Sequence, residues 1–191
     1  MYRYLIIEGK TSIEDQYTVI ESLFSDFLDI KEIDKKDHHM IVLYTQETDV
    51  SLLEVILNIS SDTYKDLRIY KSHHFDTIEE KNIHLQFMLH KLSEIPFNKY
   101  TYLDDKIVLK SNLNTLDEQM RRIILRKYAN DFMMLDTIKI YLESNLNMVI
   151  AAKNLYVHRN TLIQRIDKFY QVTGFDMRNF NDAFLIYHLI K

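Results

Sequence analysis

Up to about residue 110 two periodicities alternate along the chain. Short β-branched and aromatic runs predict four strands: Tyr4-Leu5-Ile6-Ile7, Met40-Ile41-Val42-Leu43-Tyr44, Leu67-Arg68-Ile69-Tyr70 and Lys106-Ile107-Val108-Leu109. Between them apolar residues recur at spacings of three and four. Ile13, Tyr17, Ile20, Leu23, Phe24, Phe27 and Leu28 share one face of a predicted helix, and Leu52, Leu53, Val55, Ile56 and Ile59 stripe a second. Ile83, Phe87, Leu89, His90 and Leu92 predict a third, ending before Pro96 because the residue preceding proline disfavours helix. Such alternation predicts an α/β domain built on one sheet; the order of its strands does not follow from the pattern.

Past Thr115 the strand signal disappears. Leu116, Met120, Ile123 and Ile124 stripe one helix, Leu135, Ile138 and Leu142 the next, and two shorter helical units follow. A last helix is rich in Phe184, Leu185, Tyr187, Leu189 and Ile190. The fold class expected is therefore α+β. An α/β regulatory or dimerisation domain over 1–110 precedes a connecting helix over 111–130 and a compact all-α domain over 131–191.

Within that last domain, residues 147–170 read as a short helix, a tight turn and a longer helix. Val149–Leu155 supports, Tyr156–His158 turns, and Arg159–Tyr170 forms the second helix. Ala151 and Ala152 are small enough for two helices to approach closely, and Leu155 and Val157 pin the turn from either side. Leu162, Ile166 and Phe169, at i, i+4 and i+7, predict the buried stripe of the second helix. Gly174 suits the left-handed position that ends helices. At 100° per residue, Asn160, Gln164 and Lys168 lie nearly opposite that stripe, Thr161 and Arg165 on one flank, and Arg159 opens the other. Amides and arginine can pair with base edges in the major groove, and cations and hydroxyls hold phosphates. The plain alternative is an amphipathic helical hairpin with a solvated polar face.

Charge sharpens the contrast between the two parts. Net charge is −4, yet residues 1–120 carry 13 Lys+Arg against 22 Asp+Glu, whereas residues 121–191 carry 11 against 6. A basic end on an acidic chain fits a polyanion partner.

The run Val157-His158-Arg159-Asn160-Thr161-Leu162, with Leu135, Thr137, Ile138, Tyr141, Leu142, Asn147, Ala151, Ala152, Leu155, Arg165, Ile166 and Thr173-Gly174, resembles the C-terminal helix-turn-helix of the PucR/CdaR family of bacterial transcriptional regulators. The likeness covers about 55 residues; Gln164 stands where that family usually has an aromatic residue. More distantly the segment is similar to the DNA-binding end of the factor for inversion stimulation. On that alignment His158, Arg159 and Gln164 fall at base-facing positions and Thr161 near a phosphate contact. The resemblance implies a sequence-specific DNA-binding regulator whose partner is double-stranded DNA, in which Arg159, Asn160 and Gln164 read bases. Thr161, Arg165 and Lys168 would hold phosphates, with Lys153 joining from the supporting helix. It also implies that residues 1–110 correspond to a degenerate nucleotide-cyclase-like domain, with the family's usual N-terminal sensory domain lacking.

Other chemistry is sparse. There is no cysteine, so disulfides, zinc-thiolate sites and cysteine nucleophiles are excluded. His38/His39 and His73/His74, adjacent pairs in or beside strands, are expected to point to opposite faces and so to chelate poorly; no metal or cofactor is expected. No phosphate-cradling glycine loop or nucleophile elbow occurs, and an enzyme is not expected. The short apolar N-terminal run fits neither signal peptide nor membrane span, so a cytoplasmic protein without membrane contact is expected. Two-fold DNA sites favour a homodimer, for which the Leu116/Met120/Ile123/Ile124 stripe is one candidate face. Two alternatives stay open: a protein-interaction module whose helix-turn-helix no longer binds DNA, and a small-ligand sensor in residues 1–110.

Overall fold

The computed structural model describes residues 1–49, 51–63 and 65–191. The chain divides into two compact units, Met1–Val108 and Leu109–Lys191.

The first unit follows the order β1 (Arg3–Gly9), α1 (Tyr17–Ser25), β2 (Leu28–Lys36), β3 (His39–Glu47), α2 (Leu52–Thr63), β4 (Leu67–Lys71), α3 (Ile78–Glu94), β5 (Tyr102–Asp104) and α4 (Asp105–Ser111). One sheet has the order β2-β3-β1-β4-β5. The first four strands pair antiparallel, with Leu5 opposite Val42 and Ile7 opposite Ile69; β5 joins β4 in parallel. β1-α1-β2-β3-α2-β4 in this arrangement is a split βαβ, or ferredoxin-like, sheet. Leu5, Ile7, Met40, Val42, Leu67 and Ile69 face a core closed by Ile20 and Phe24 of α1 and Ile56 and Ile59 of α2. Tyr4, Ile6 and Tyr70, which alternate with them, are also buried. Burial of both faces explains why β1 and β3 read as unbroken apolar runs.

On this second face polar groups are buried against one another. The Tyr4 hydroxyl lies 2.7 Å from His84 Nδ1, His84 Nε2 lies 3.3 Å from Asp105, and Tyr70 donates to the same carboxylate. Burial pushes the Tyr70 phenol well above its ordinary pKa. The buried Arg68 guanidinium bonds Glu8 at 2.6 Å and the carbonyls of Leu92 and Ile95 at 2.8 and 2.9 Å, which fastens the end of α3 to β4.

Three expectations are corrected. Lys106–Leu109 is not a strand but lies within α4, whose Ile107 amide is capped by Asp104 at 2.9 Å; a short apolar run does not distinguish strand from helix. Leu28 leaves the first helix and opens β2, a strand unforeseen because LDIKEIDKK is mostly charged. β2 lies at an edge of the sheet, where lysines and carboxylates suit exposed backbone. His73 and His74 do not diverge: past the end of β4 strand alternation no longer applies, and their ring centroids lie 4.2 Å apart. Among the described residues no group of three or more potential metal ligands converges, and no helix is long and apolar enough to cross a membrane.

The second unit is helical: α5 (Glu118–Leu125), α6 (Phe132–Glu143), α7 (Met148–Asn154), α8 (Arg159–Thr173) and α9 (Phe180–Ile190). The stripe Met120, Ile123 and Ile124 is buried on α5, while Leu116 precedes that helix.

Candidate nucleic-acid interface

The site is built by α7, α8 and the turn between them. Asn147 starts α7, its side-chain oxygen accepting from the Val149 and Ile150 amides at 3.0 and 3.1 Å. This satisfies two amides that the first turn of a helix leaves without partners. Buried Ala151 and Ala152 let α7 pack against both α6 and α8. The turn closes on α7 itself: the Tyr156 amide donates to the Lys153 carbonyl at 3.1 Å and the Val157 amide to the Ala152 carbonyl at 3.0 Å. His158 then caps α8, Nδ1 accepting from the Asn160 amide at 3.2 Å. An imidazole accepting at Nδ1 carries its proton on Nε2, leaving a donor at the entrance of the helix.

α8 is held by the expected stripe. Leu162, Ile166 and Phe169 are wholly buried, and Phe169 stacks on Tyr128 with centroids 5.7 Å apart. Gly174 ends the helix at φ 79°, its amide donating to the Tyr170 carbonyl at 2.8 Å. Opposite the stripe, Asn160, Gln164 and Lys168 are exposed, as are Arg159, Thr161, His158 and Lys153. These seven expected site residues therefore lie on solvent-facing surface of the turn and its two helices.

The eighth, Arg165, is held differently. It is half-buried on the flank of α8, and Nη1 donates to Thr137 Oγ1 of α6 at 2.9 Å. Its charge is present beside the exposed face, but its guanidinium is partly engaged in joining two helices. The acidic member of the helix, Asp167, pairs with Arg178, whose pKa that hydrogen bond raises further. The carboxylate is thus compensated locally, and the exposed face keeps a positive balance.

Two residues escaped the sequence reading. α8 runs one turn beyond Tyr170, which brings exposed Gln171 onto the arc of Asn160, Gln164 and Lys168, within about 80° around the helix. Its spacing of seven from Gln164 was the available signal. Lys127, with its ammonium 5.5 Å from the Tyr128 ring centre, lines with Lys168 and Gln171 an open hollow of about 500 Å³ beside α8. Nothing local marked Lys127, because the short 3-10 turn carrying it precedes the helix-turn-helix.

Three helices with a sharp α7–α8 turn and an exposed, cationic and amide-bearing second helix define a helix-turn-helix module. Residues 134–191, within the second unit, match the PucR C-terminal helix-turn-helix domain. Over 138 residues, 69% of this chain and 46% of the relative, the chain is 24% identical to the uncharacterized protein YxkF of Bacillus subtilis. It is 32% identical over 63 residues to the carbohydrate diacid regulator of Escherichia coli, covering 33% of this chain and 16% of that one. With the purine catabolism regulatory protein of Bacillus subtilis the identity is 36% over 56 residues, covering 29% and 10%. The chain thus spans less than half the length of each of these relatives.

Proposed function

We propose that the protein is a sequence-specific DNA-binding transcriptional regulator of the PucR/CdaR type, and not an enzyme. The observation that carries this reading is the division of labour on α8: Leu162, Ile166 and Phe169 supply the packing, while Asn160, Gln164 and Lys168 have no packing duty and face solvent. In the proposed complex α8 enters the major groove. Arg159, Asn160 and Gln164 meet base edges, with the His158 Nε2–H donor at the groove's rim. Thr161, Lys168 and Lys153 hold phosphates, and Arg165 adds charge while fixing the angle of α8 against α6. Names of the relatives, a diacid regulator and a purine catabolism regulator, support regulation of transcription. A homodimer belongs to the proposal, since two recognition helices about one DNA turn apart need a two-fold partner. So does a cytoplasmic location, where the DNA is.

The test is binding of purified protein to genomic fragments at two salt concentrations. Tight, salt-sensitive binding to few fragments is expected, and Arg159→Ala should weaken the best site by about 1–3 kcal/mol. A folded protein that binds no fragment at low salt would refute the proposal.

A further inference from the structure

Tyr156 is out of place by two independent measures. Its backbone is left-handed, at φ 54°, a region that disfavours side chains with a Cβ. It stands at the position after a helix where glycine is usual, because the closing bonds of α7 demand that conformation. The residue is also 96% exposed, the most exposed of the large hydrophobic residues among the described residues. The other non-glycine residues with positive φ have local reasons. Asn145 is a residue type that tolerates the region, and Arg126 and Leu146 are half-buried. Tyr156 has neither reason: the phenol makes no hydrogen bond among the described residues, and glycine would close the turn with less strain. A strained, solvent-facing aromatic inside a binding motif points to a task outside the folded chain.

We infer that Tyr156 contacts the DNA backbone, its hydroxyl donating to a phosphate oxygen and its ring lying on the neighbouring sugar. This rests on the reading of α8 as the recognition helix. Tyr156 lies three residues after Lys153 and three before Arg159, both exposed, so a strand of phosphates held by Lys153 passes within reach of a side chain this long. Tyrosine is an ordinary phosphate partner in such complexes. The contact is neutral and sequence-independent. Unlike a lysine contact it releases no counterion, so it strengthens binding without steepening the salt dependence.

The test uses the full chain, a short duplex taken from the genomic fragment that the wild type binds best and a fluorescence anisotropy titration over a range of salt. Wild type, Tyr156→Gly, Tyr156→Phe and Arg159→Ala are compared, each with its melting temperature. Tyr156→Gly should melt a few degrees higher, because strain is relieved. It should nevertheless bind about three- to tenfold more weakly, with the slope of log K against log salt unchanged. Tyr156→Phe should keep the wild-type melting temperature and lose part of the affinity. Wild-type affinity in Tyr156→Gly, while Arg159→Ala binds poorly, would overturn the inference and leave the DNA-binding reading intact; the ring would then serve a protein partner. No gain in melting temperature would remove the strain on which the inference stands. Failure of the wild type itself to bind would remove both.

Discussion

Truncating Ile166 to alanine and truncating Gln164, two residues earlier on the same helix, should produce opposite phenotypes. Ile166 is wholly buried between α8 and its neighbours, whereas Gln164 is exposed. Ile166→Ala removes three carbons, a transfer loss of about 2.4 kcal/mol at about 0.8 kcal/mol each. The cavity left behind brings the total to about 3–4 kcal/mol, inside the usual range of about 2–5 for such truncations. A unit of roughly 80 residues has about 4–12 kcal/mol of stability in all, so this single change removes a large share. At about 4–8 °C per kcal/mol, the melting temperature of the second unit should fall by about 12–32 °C. Gln164→Ala should stay within about 0.5 kcal/mol of wild type. Circular dichroism melts read both values, and titration with DNA at a temperature where both variants are folded reads the other half. Ile166→Ala should then bind close to normally, and Gln164→Ala should lose discrimination among sequences. A cost below about 1 kcal/mol for Ile166→Ala, or a large stability loss in Gln164→Ala, would refute the assignment of faces.

Further outcomes follow from other contacts. Asn147→Ala should destabilise the second unit by about 1–2 kcal/mol in a denaturant titration, since one side chain satisfies two amides of α7. Lys168→Ala and Lys153→Ala should each lower the salt slope of DNA binding by about one and weaken all sequences alike. Arg178→Ala should weaken DNA binding at low salt by leaving the Asp167 carboxylate uncompensated beside the recognition face, while Asp167→Asn in the same background should restore it. Burial raises the Asp104 pKa, so the folded chain takes up that proton more readily than the unfolded chain does. The ionised group therefore costs stability above its raised pKa, and the cost disappears as pH falls below the ordinary carboxylate value. Asp104→Asn should raise the melting temperature of the first unit near pH 7, a gain that shrinks on acidification; a gain that persists in acid would contradict this cause.

How far the sequence revealed the molecule depended on how many faces each segment buries. β1 and β3 were legible because burial on both sides forces unbroken apolar runs, and β4 because Leu67, Ile69 and Tyr70 surround a single buried arginine, Arg68. β2 was invisible for the converse reason: a sheet edge needs few apolar residues, and Leu28, Ile30 and Ile33 are too thinly spread to register. α4 was misread because Ile107-Val108-Leu109 is shorter than one helical period can resolve, while the Asp104 cap that settles its structure is a three-dimensional contact. On α8 the buried stripe, the Gly174 end and the exposed Asn160/Gln164/Lys168 face were readable from spacing alone. The double duty of Arg165 was not, because Thr137 lies 28 positions away in the chain. The strained backbone of Tyr156 was hidden as well, since the residue at that position is not the glycine that announces such a turn.

The strut from Arg165 to Thr137 has a consequence for how such a protein diversifies. By helping α8 keep its angle from the flank, it lets the exposed side chains at positions 160, 164 and 168 stay out of the helix packing. If α8 reads DNA as proposed, substitutions there change what it reads without changing whether the domain stands, so new target preferences can be explored one residue at a time from a chain that remains folded at every step.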